Sequence, residues 1–182
     1  MNSNGYLELI IGNMFSGKST ELIRKVKTIK SINKRIIVIN YIHDNRYSSD
    51  SVATHDLLLF QCKKTLLLME IINECLEYDY ICIDEGQFFT DLIDFVRICV
   101  DIHKKHIIVS GLDGDSNRNK FGNILDLIPL CDSVIKLKAY CINCSDGTVA
   151  PFTKKISENK EILDIGGSDK YIPVCRLHYF SS

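Results

Sequence analysis

The stretch Gly12-Asn13-Met14-Phe15-Ser16-Gly17-Lys18-Ser19-Thr20 decides the fold of this 182-residue chain. A glycine, four residues and then Gly-Lys-Ser form the P-loop pattern, whose backbone N–H groups surround nucleotide phosphates at a helix N-terminus. The apolar run 6–11 before it predicts a buried strand, and residues 20–34 after it predict a helix. Because strand, loop and helix follow one another as the motif requires, we interpret this segment as a nucleotide site.

Individual residues of the loop have expected roles in binding a nucleoside triphosphate and Mg²⁺. Gly12 and Gly17 permit the backbone conformations that turn N–H groups inward. Lys18 is expected to reach the β- and γ-phosphates, and the Ser19 hydroxyl is expected to bind Mg²⁺. We therefore assign the whole stretch 12–20 to the triphosphate and magnesium site.

Composition limits the classes of protein to consider. Hydrophobic residues make up 46% of the chain, charged residues 25%, and the net charge is -1, so the basic surface typical of duplex-binding proteins is not expected. The sequence has no run of 18 apolar residues, and its first residues do not resemble a signal peptide. We expect a cytoplasmic protein without a membrane span or a nucleic-acid partner.

Apolar segments alternate with helical patterns beyond the loop. Strands are predicted at 35–41, 79–84, 106–112 and 133–140, and helices at 65–77 and 92–104. Such alternation indicates an α/β fold with a parallel sheet flanked by helices, which binds ligands at the carboxyl ends of its strands. The polar segment 41–55 and the tail interrupt the pattern. We predict an α/β domain at 1–140 and a small second domain, without a convincing helix, at 141–182.

A pair of acids ends the predicted strand 79–84. Asp84 and Glu85 are followed by Gly86-Gln87-Phe88-Phe89. An acid at this position of a P-loop enzyme acts on Mg²⁺, which is the expected role of Asp84. Glu85 can take a proton from an attacking hydroxyl as a general base. The alternative is an ordinary solvated strand end.

Two short motifs in the tail predict a metal site. Cys141-x-x-Cys144 and Cys175-x-x-His178 supply four ligands, enough for a closed, structural zinc site. Alternatively, His178 is a surface histidine and water completes a three-cysteine site. The other five cysteines lie among apolar neighbours and are expected to pack in the core as free thiols: Cys62, Cys75, Cys82, Cys99 and Cys131.

The segment between the two metal motifs contains paired glycines. Gly166 and Gly167 precede Tyr171, a composition suited to a loop that lays its backbone against a flat ligand. The same composition also fits an ordinary turn.

Together these motifs resemble the type II thymidine kinases, the cytosolic family found in animals, many bacteria and poxviruses. The resemblance covers about residues 6–180 and rests on the P-loop, Thr54-His55-Asp56, Asp84-Glu85-Gly86-Gln87, Leu112-Asp113-Gly114, the glycine pair and both metal motifs. It implies a RecA-like P-loop domain and a zinc-binding domain with a lasso loop. It also implies transfer of the γ-phosphate of ATP to the 5′-hydroxyl of thymidine with Mg²⁺, with Glu85 as general base.

The resemblance implies further binding residues and partners. It adds Asp56 and Gln87 to the ATP and Mg²⁺ region, and it implies a homotetramer with dTTP as a feedback inhibitor. Thymine would lie under the lasso, held largely by its backbone. The implied nucleoside-binding residues are Met14, Phe88, Leu112, Ser116, Phe121, Thr153, Ile162, Leu163, Asp164, Ile165, Gly166 and Tyr171.

The chain departs from the family pattern at several positions. Asn13 replaces the usual proline, a change we expect to be tolerated because the loop binds through backbone N–H groups. Ser116 replaces an aromatic residue, which removes a stacking contact worth roughly 1–3 kcal/mol. Thr153 lies two residues further from Cys144 than usual. His178 replaces the fourth cysteine, which zinc accepts equally.

Two other functions fit parts of the sequence. A nucleic-acid-associated ATPase with a zinc ribbon would also combine a P-loop with cysteine pairs. The near-neutral net charge of this chain would be unusual for such a protein. Such an ATPase would need DNA or RNA rather than thymidine for ATP consumption. A kinase fold that has lost its activity is the third possibility, and the presence of Lys18, Ser19, Asp84 and Glu85 argues against it.

Overall fold

A computed structural model of the chain describes residues 4–43, 51–53, 59–157 and 168–181. Two groups of predicted site residues lie outside the described residues. They are Asp56 and the lasso residues Ile162, Leu163, Asp164, Ile165 and Gly166.

A six-stranded parallel sheet forms the centre of the molecule, as the sequence predicts. Its strands are β1 (Tyr6–Gly12), β2 (Ile36–Tyr41), β5 (Lys63–Thr65), β6 (Tyr80–Ile83), β7 (His106–Leu112) and β8 (Ser133–Leu137), in the spatial order β5-β2-β6-β7-β1-β8. Because these six strands are parallel, the carboxyl ends of β1 and β6 lie at the same edge of the sheet, which brings the P-loop and the acid pair together. Strands β3 (Ser51–Ala53) and β4 (Leu59–Gln61) form a separate antiparallel pair.

Helix α1 (Lys18–Ser31) covers one face of this sheet. It begins after Gly17, which has a φ of 85°. This left-handed backbone conformation is unfavourable for residues other than glycine. The buried residues of α1 recur at helical spacing and pack on β1, β2, β6 and β7, so each buried aliphatic side chain stabilises the fold by about 1.5–3 kcal/mol. The packed set is Leu22, Ile23, Val26 and Ile29 against Ile10, Val38, Cys82 and Ile108.

The opposite face is covered by shorter helical segments than predicted. Helix α2 spans only Ile72–Cys75, after a 3₁₀ turn at Leu68–Ile71. The expected helix 65–77 is wrong at its start, because residues 63–65 pair with β2 as an edge strand and Thr65 is buried there. Helix α3 (Leu92–Arg97) continues as a π-helical turn at Ile98–Ile102, and a 3₁₀ helix spans Ile124–Leu130. Within the described part of the chain, none of the helices is both long and apolar enough to span a membrane.

Residues 139–157 and 168–181, called here the C-terminal lobe, have a core of their own. Strand β9 (Ala139–Tyr140) pairs with β10 (Val149–Ala150), and β11 (Phe152–Lys155) pairs with β12 (Tyr171–Val174). The predicted strand 133–140 thus divides, because its end pairs with β10 rather than β1. A short helix that the sequence did not reveal, α4 (Arg176–Phe180), ends the lobe. The division into domains at residue 140 stays a proposal.

The cysteines predicted to pack in the core fall into two groups. Cys75, Cys82 and Cys99 are buried, which confirms the prediction for them, and burial raises the pKa of the Cys75 and Cys99 thiols to about 12. Cys62 and Cys131 are only partly buried at the margin of the core. None of these five described cysteines forms a disulfide.

Candidate active site

The P-loop connects the end of β1 to the start of α1 and folds around the carbonyl oxygen of Asn13. This oxygen accepts hydrogen bonds from Lys18 Nζ at 2.7 Å and from Ser16 Oγ at 2.8 Å. Phe15 has a φ of 64°, and Gly17 also has a left-handed conformation. The loop thus brings the Lys18 ammonium and a helix N-terminus to one place, which is the arrangement that binds phosphate groups.

The expected magnesium ligands lie in contact with each other. The Ser19 hydroxyl donates to Asp84 Oδ2 at 3.0 Å, and the Ser110 hydroxyl donates to Asp84 Oδ1 at 2.8 Å. Asp84 is buried at the end of β6, directly beside the first turn of α1. Carboxylate and hydroxyl oxygens are the hard ligands that Mg²⁺ prefers, so this donor set fits the ion.

Glu85 is held in an unusual conformation next to this pair. Its φ is 55°, its side chain is buried, and its carboxylate oxygen Oε2 accepts a hydrogen bond from Gln87 Nε2 at 2.5 Å. The other end of the Gln87 amide, Oε1, accepts from the backbone N–H of Leu112 at 2.9 Å. Gln87 therefore fixes Glu85 to the end of β7, while its assignment to the ATP site stays a prediction.

A glycine that the sequence analysis did not single out packs against Gln87. Gly122 has a φ of 58°, and a Cβ atom there would lie only 1.9 Å from the Gln87 carbonyl oxygen. Only glycine fits this close approach of two backbones. In the sequence, this close approach could have been suspected from the isolated Phe121-Gly122 pair that follows the predicted strand 106–112.

Three aromatic rings border the region predicted to bind the nucleoside. Phe88 stacks on Tyr41, with ring centroids 5.2 Å apart, and meets the edge of Phe121 at 5.5 Å. Tyr41 lies at the end of β2 and was not predicted as a site residue. Phe88, Phe121 and Leu112 are half-buried, as a pocket wall requires, whereas Met14 is buried.

Hydrogen bonds join the P-loop to the C-terminal lobe, and they involve a side chain from each of the two. The Met14 N–H donates to Thr153 Oγ1 at 3.0 Å, and Asn13 Nδ2 donates to the Phe152 carbonyl oxygen at 3.3 Å. The Ala139 N–H approaches Asn13 Oδ1 at 3.4 Å. The side chain of Asn13, which we had expected to be unimportant, is thus buried and used as a bridge.

The four predicted metal ligands form a compact cluster. Their ligand atoms all lie within 4.8 Å of one another, and His178 contributes Nδ1. The Cys144 and Cys175 sulfurs are 3.8 Å apart, and three Sγ–Nδ1 distances are 3.3–3.5 Å. Zinc–sulfur bonds of about 2.3 Å in a tetrahedron require sulfurs about 3.8 Å apart, so the residues fit a Cys₃His zinc site.

The protonation of one ligand also suits metal binding. Burial raises the pKa of the Cys141 thiol, but hydrogen bonds from the backbone at Cys175 and Cys144 outweigh it and lower that pKa below its ordinary value, whereas burial raises the pKa of the neighbouring Cys144 thiol. A thiolate, rather than a thiol, is the form that binds zinc.

Two predicted nucleoside-binding residues have other contacts in the structure. The Ser116 carbonyl oxygen accepts a hydrogen bond from the Tyr179 hydroxyl at 2.7 Å. Tyr171 is buried in β12, with Lys155 Nζ 5.9 Å from its ring centroid. Their contact with a nucleoside stays a prediction.

Comparison with known proteins decides the family. The family model described as thymidine kinase matches residues 5–179. The chain belongs to the thymidine kinase family. It is 44% identical to human cytosolic thymidine kinase over 98% of this chain and 74% of the human protein. Its identity is 42% to vaccinia virus (strain Western Reserve) thymidine kinase over 99% of both chains, and 45% to sheeppox virus (strain KS-1) thymidine kinase over 97% of both chains.

Membership of the thymidine kinase family bears on the open alternatives. Thymidine kinases are phosphotransferases that use ATP, which agrees with the P-loop and favours a kinase over the nucleic-acid-associated ATPase. The human relative is named as cytosolic.

Proposed function

We propose that this protein transfers the γ-phosphate of ATP to the 5′-hydroxyl of thymidine. The observation that carries the proposal is the hydrogen bond between Ser19 and Asp84, which joins the P-loop to the acid pair. Because Glu85 follows Asp84 directly, a proton acceptor lies next to the donor site. A phosphoryl-transfer enzyme needs these two features side by side.

The donor half of the proposed site consists of the P-loop and Asp84. The Lys18 ammonium and the N-terminus of α1 stabilise the negative charge of the phosphates, and Ser19 and Asp84 would hold Mg²⁺. When bound, Mg²⁺ supplies positive charge that neutralises the transferring phosphoryl group. Asp56 assists this region.

Glu85 is the general base of the proposed reaction. Its carboxylate accepts the proton of the 5′-hydroxyl as the oxygen attacks the γ-phosphate. Gln87 holds the carboxylate through Oε2, so the orientation of Glu85 is fixed before the substrate arrives. Positioning of this kind supplies much of the rate acceleration in phosphoryl transfer.

The acceptor half of the proposed site lies between the aromatic rings and the C-terminal lobe. Met14, Phe88, Leu112 and Phe121 border the thymine ring, Thr153 and Ser116 lie near the base, and Tyr171 lies near the sugar. The lasso residues 162–166 cover the base with their backbone. The Cys₃His residues would hold zinc at both ends of the lasso segment, which would give the metal a structural role. A homotetramer, feedback inhibition by dTTP and a cytoplasmic location complete the proposal.

The proposal is tested by ATP-dependent phosphorylation of a panel of nucleosides, with Glu85→Gln as the decisive variant. Loss of the general base should lower kcat for thymidine by roughly 10²–10⁴-fold while thymidine binding is retained. Glu77→Gln is the matched control, since Glu77 is exposed. Near-normal turnover by Glu85→Gln would exclude Glu85 as the base. A wild-type protein that phosphorylates none of the nucleosides would favour the inactive-kinase alternative.

A further inference from the structure

The loop 113–120 leads from the end of β7 to Phe121 and is folded around one acid. Asp115 Oδ1 accepts hydrogen bonds from the backbone N–H groups of Asn117 at 2.9 Å and Asn119 at 2.8 Å. The Asp115 carbonyl oxygen accepts from the Arg118 N–H at 3.0 Å. These bonds make the loop a compact unit, so a contact at one point orients all of it.

Helix α4 of the C-terminal lobe contacts this loop at Ser116 and Arg118. The Tyr179 hydroxyl donates to the Ser116 carbonyl oxygen at 2.7 Å. The Arg118 guanidinium lies 4.5 Å from the ring centroid of Tyr179 and 4.7 Å from that of Phe180, within range for cation–π attraction. The loop is therefore attached to the lobe by one hydrogen bond and one stacked cation.

Part of the loop borders open space. A cleft of about 450 Å³ is lined by Asp113, Asp115 and Arg118 of the loop and also by Asn13 and Thr153. Side chains facing a cleft gain less from packing than side chains in a closed core. Ion pairs hold the ends of the loop, between Asp113 and Lys136 at 2.9 Å and between Lys120 and Asp126 at 2.7 Å. The contacts with α4 act instead on its central residues, Ser116 and Arg118.

The position of Tyr179 depends on the metal-binding residues. Its backbone N–H donates to the Cys175 carbonyl oxygen at 2.9 Å, and it follows His178 directly in α4. Its ring also lies 5.5 Å from Phe152 in β11. The Cys₃His cluster and β11 together fix the direction in which the Tyr179 hydroxyl points.

We propose that Tyr179 is a positioning residue for the nucleoside pocket. It holds the loop 113–120 so that the residues on either side of the loop, Leu112 and Phe121, keep the spacing that the nucleoside requires. The inference rests on the proposed function, which places Leu112 and Phe121 at the thymine ring. It assigns a role in substrate binding to a residue that need not touch the substrate.

The test compares Tyr179→Phe with the wild-type protein. This variant keeps the ring and its stacking but removes the hydroxyl, so the fold and the metal cluster should persist. The thymidine KM, and the thymidine Kd from calorimetry without ATP, should rise roughly two- to tenfold, the range for one neutral hydrogen bond. The ATP KM and kcat should stay at the wild-type values. Tyr140→Phe is the matched control, because Tyr140 belongs to the same lobe and is 71% exposed.

A second variant tests the stacked cation. Arg118→Lys keeps the charge but replaces the planar guanidinium, so it should also raise the thymidine KM. Because both residues hold the same loop, the effects of Tyr179→Phe and Arg118→Lys should be less than additive in the double variant. Zinc content, measured directly on each variant, should remain at the wild-type level.

Each result has a defined meaning. A thymidine KM and Kd unchanged in Tyr179→Phe, in an active protein, would overturn this inference and leave the proposed function intact. An equal rise in the ATP KM, or a loss of zinc, would also overturn it by showing a general structural effect. A wild-type protein that neither binds nor phosphorylates thymidine would instead overturn the proposed function.

Discussion

Gln87 connects two chain segments that meet beside the proposed base. Its amide donates to the buried Glu85 carboxylate and accepts from the Leu112 N–H, so it is paired at both ends. A hydrogen bond to a charged group contributes about 1.5–3 kcal/mol, more than one between neutral groups. Asparagine would be too short to span this gap, and glutamate would place a second carboxylate against Glu85.

Replacement of Gln87 by leucine should lower kcat with little change in the thymidine KM. The variant removes the donor that orients Glu85 and leaves the Leu112 N–H without its acceptor, so we expect a loss of roughly 10–100-fold in kcat. Steady-state kinetics with thymidine and ATP measures it. Gln61→Leu is the control, since Gln61 is the only other glutamine of the chain and is exposed. Unchanged kcat in Gln87→Leu would show that Glu85 does not need this contact.

Sequence reasoning locates a site residue when it belongs to a contiguous motif. The P-loop and the acid pair are such motifs, and their places at the ends of β1 and β6 could be predicted, while their chemistry stays a prediction. Asn13 shows where this reasoning ends, since its side chain pairs with Phe152 and Ala139, more than 120 residues away. Tyr41 and Gly122 were missed for the same reason, because their contacts with Phe88 and Gln87 depend on how separate segments pack.

Among the structural elements, strand β11 has an unusual position. Its residue Thr153 accepts a hydrogen bond from the P-loop N–H of Met14, while β12 pairs with the strand on the lobe side. The P-loop residue Phe15 also packs against the hydrophobic core of the C-terminal lobe. One short strand thus joins the proposed ATP site to the lobe that carries the metal cluster.

Replacement of Thr153 by valine should weaken both substrate sites. The shapes of the two side chains are nearly equal, but valine leaves the buried Met14 N–H without an acceptor, which costs about 1–3 kcal/mol. We expect a lower Tm and higher KM values for both ATP and thymidine. Thr153→Ser is the control because it keeps the hydroxyl. If Thr153→Val raised only the thymidine KM, Thr153 would act on the nucleoside alone and not through the P-loop.

The errors at the level of elements have a physical cause. Helical spacing of apolar residues predicted a helix over 65–77, yet Leu66 is 44% and Met69 38% exposed, and Lys63–Thr65 pairs with β2. Periodicity indicates a helix only where its apolar face is buried, and an edge strand of three residues is too short to show a pattern of its own. The long strands β1 and β7 were predicted within one residue because both faces of a parallel sheet are buried.

At the scale of the whole molecule, two hydrophobic units meet at the P-loop. The sheet with its helices supplies Ser19, Asp84 and Glu85, and the C-terminal lobe contacts the same loop through Phe152 and Thr153. A displacement of the lobe would therefore alter the donor site as well as the nucleoside pocket. Loss of a metal from the Cys₃His cluster is therefore expected to affect both.

Thiol labelling of the native protein tests this organisation. The eight cysteines form three classes, namely two partly buried thiols, three core thiols whose raised pKa values leave little reactive thiolate, and three metal ligands. Iodoacetamide should label at most Cys62 and Cys131 in the native protein. A strong chelator should add Cys141, Cys144 and Cys175 and abolish thymidine binding, whereas only a denaturant should expose Cys75, Cys82 and Cys99. Mass spectrometry of peptides identifies the labelled residues.

Two outcomes would contradict this organisation. Rapid labelling of the three ligand cysteines before chelation would show that the cluster holds no metal. Retained thymidine binding after chelation would show that the nucleoside pocket does not depend on the metal.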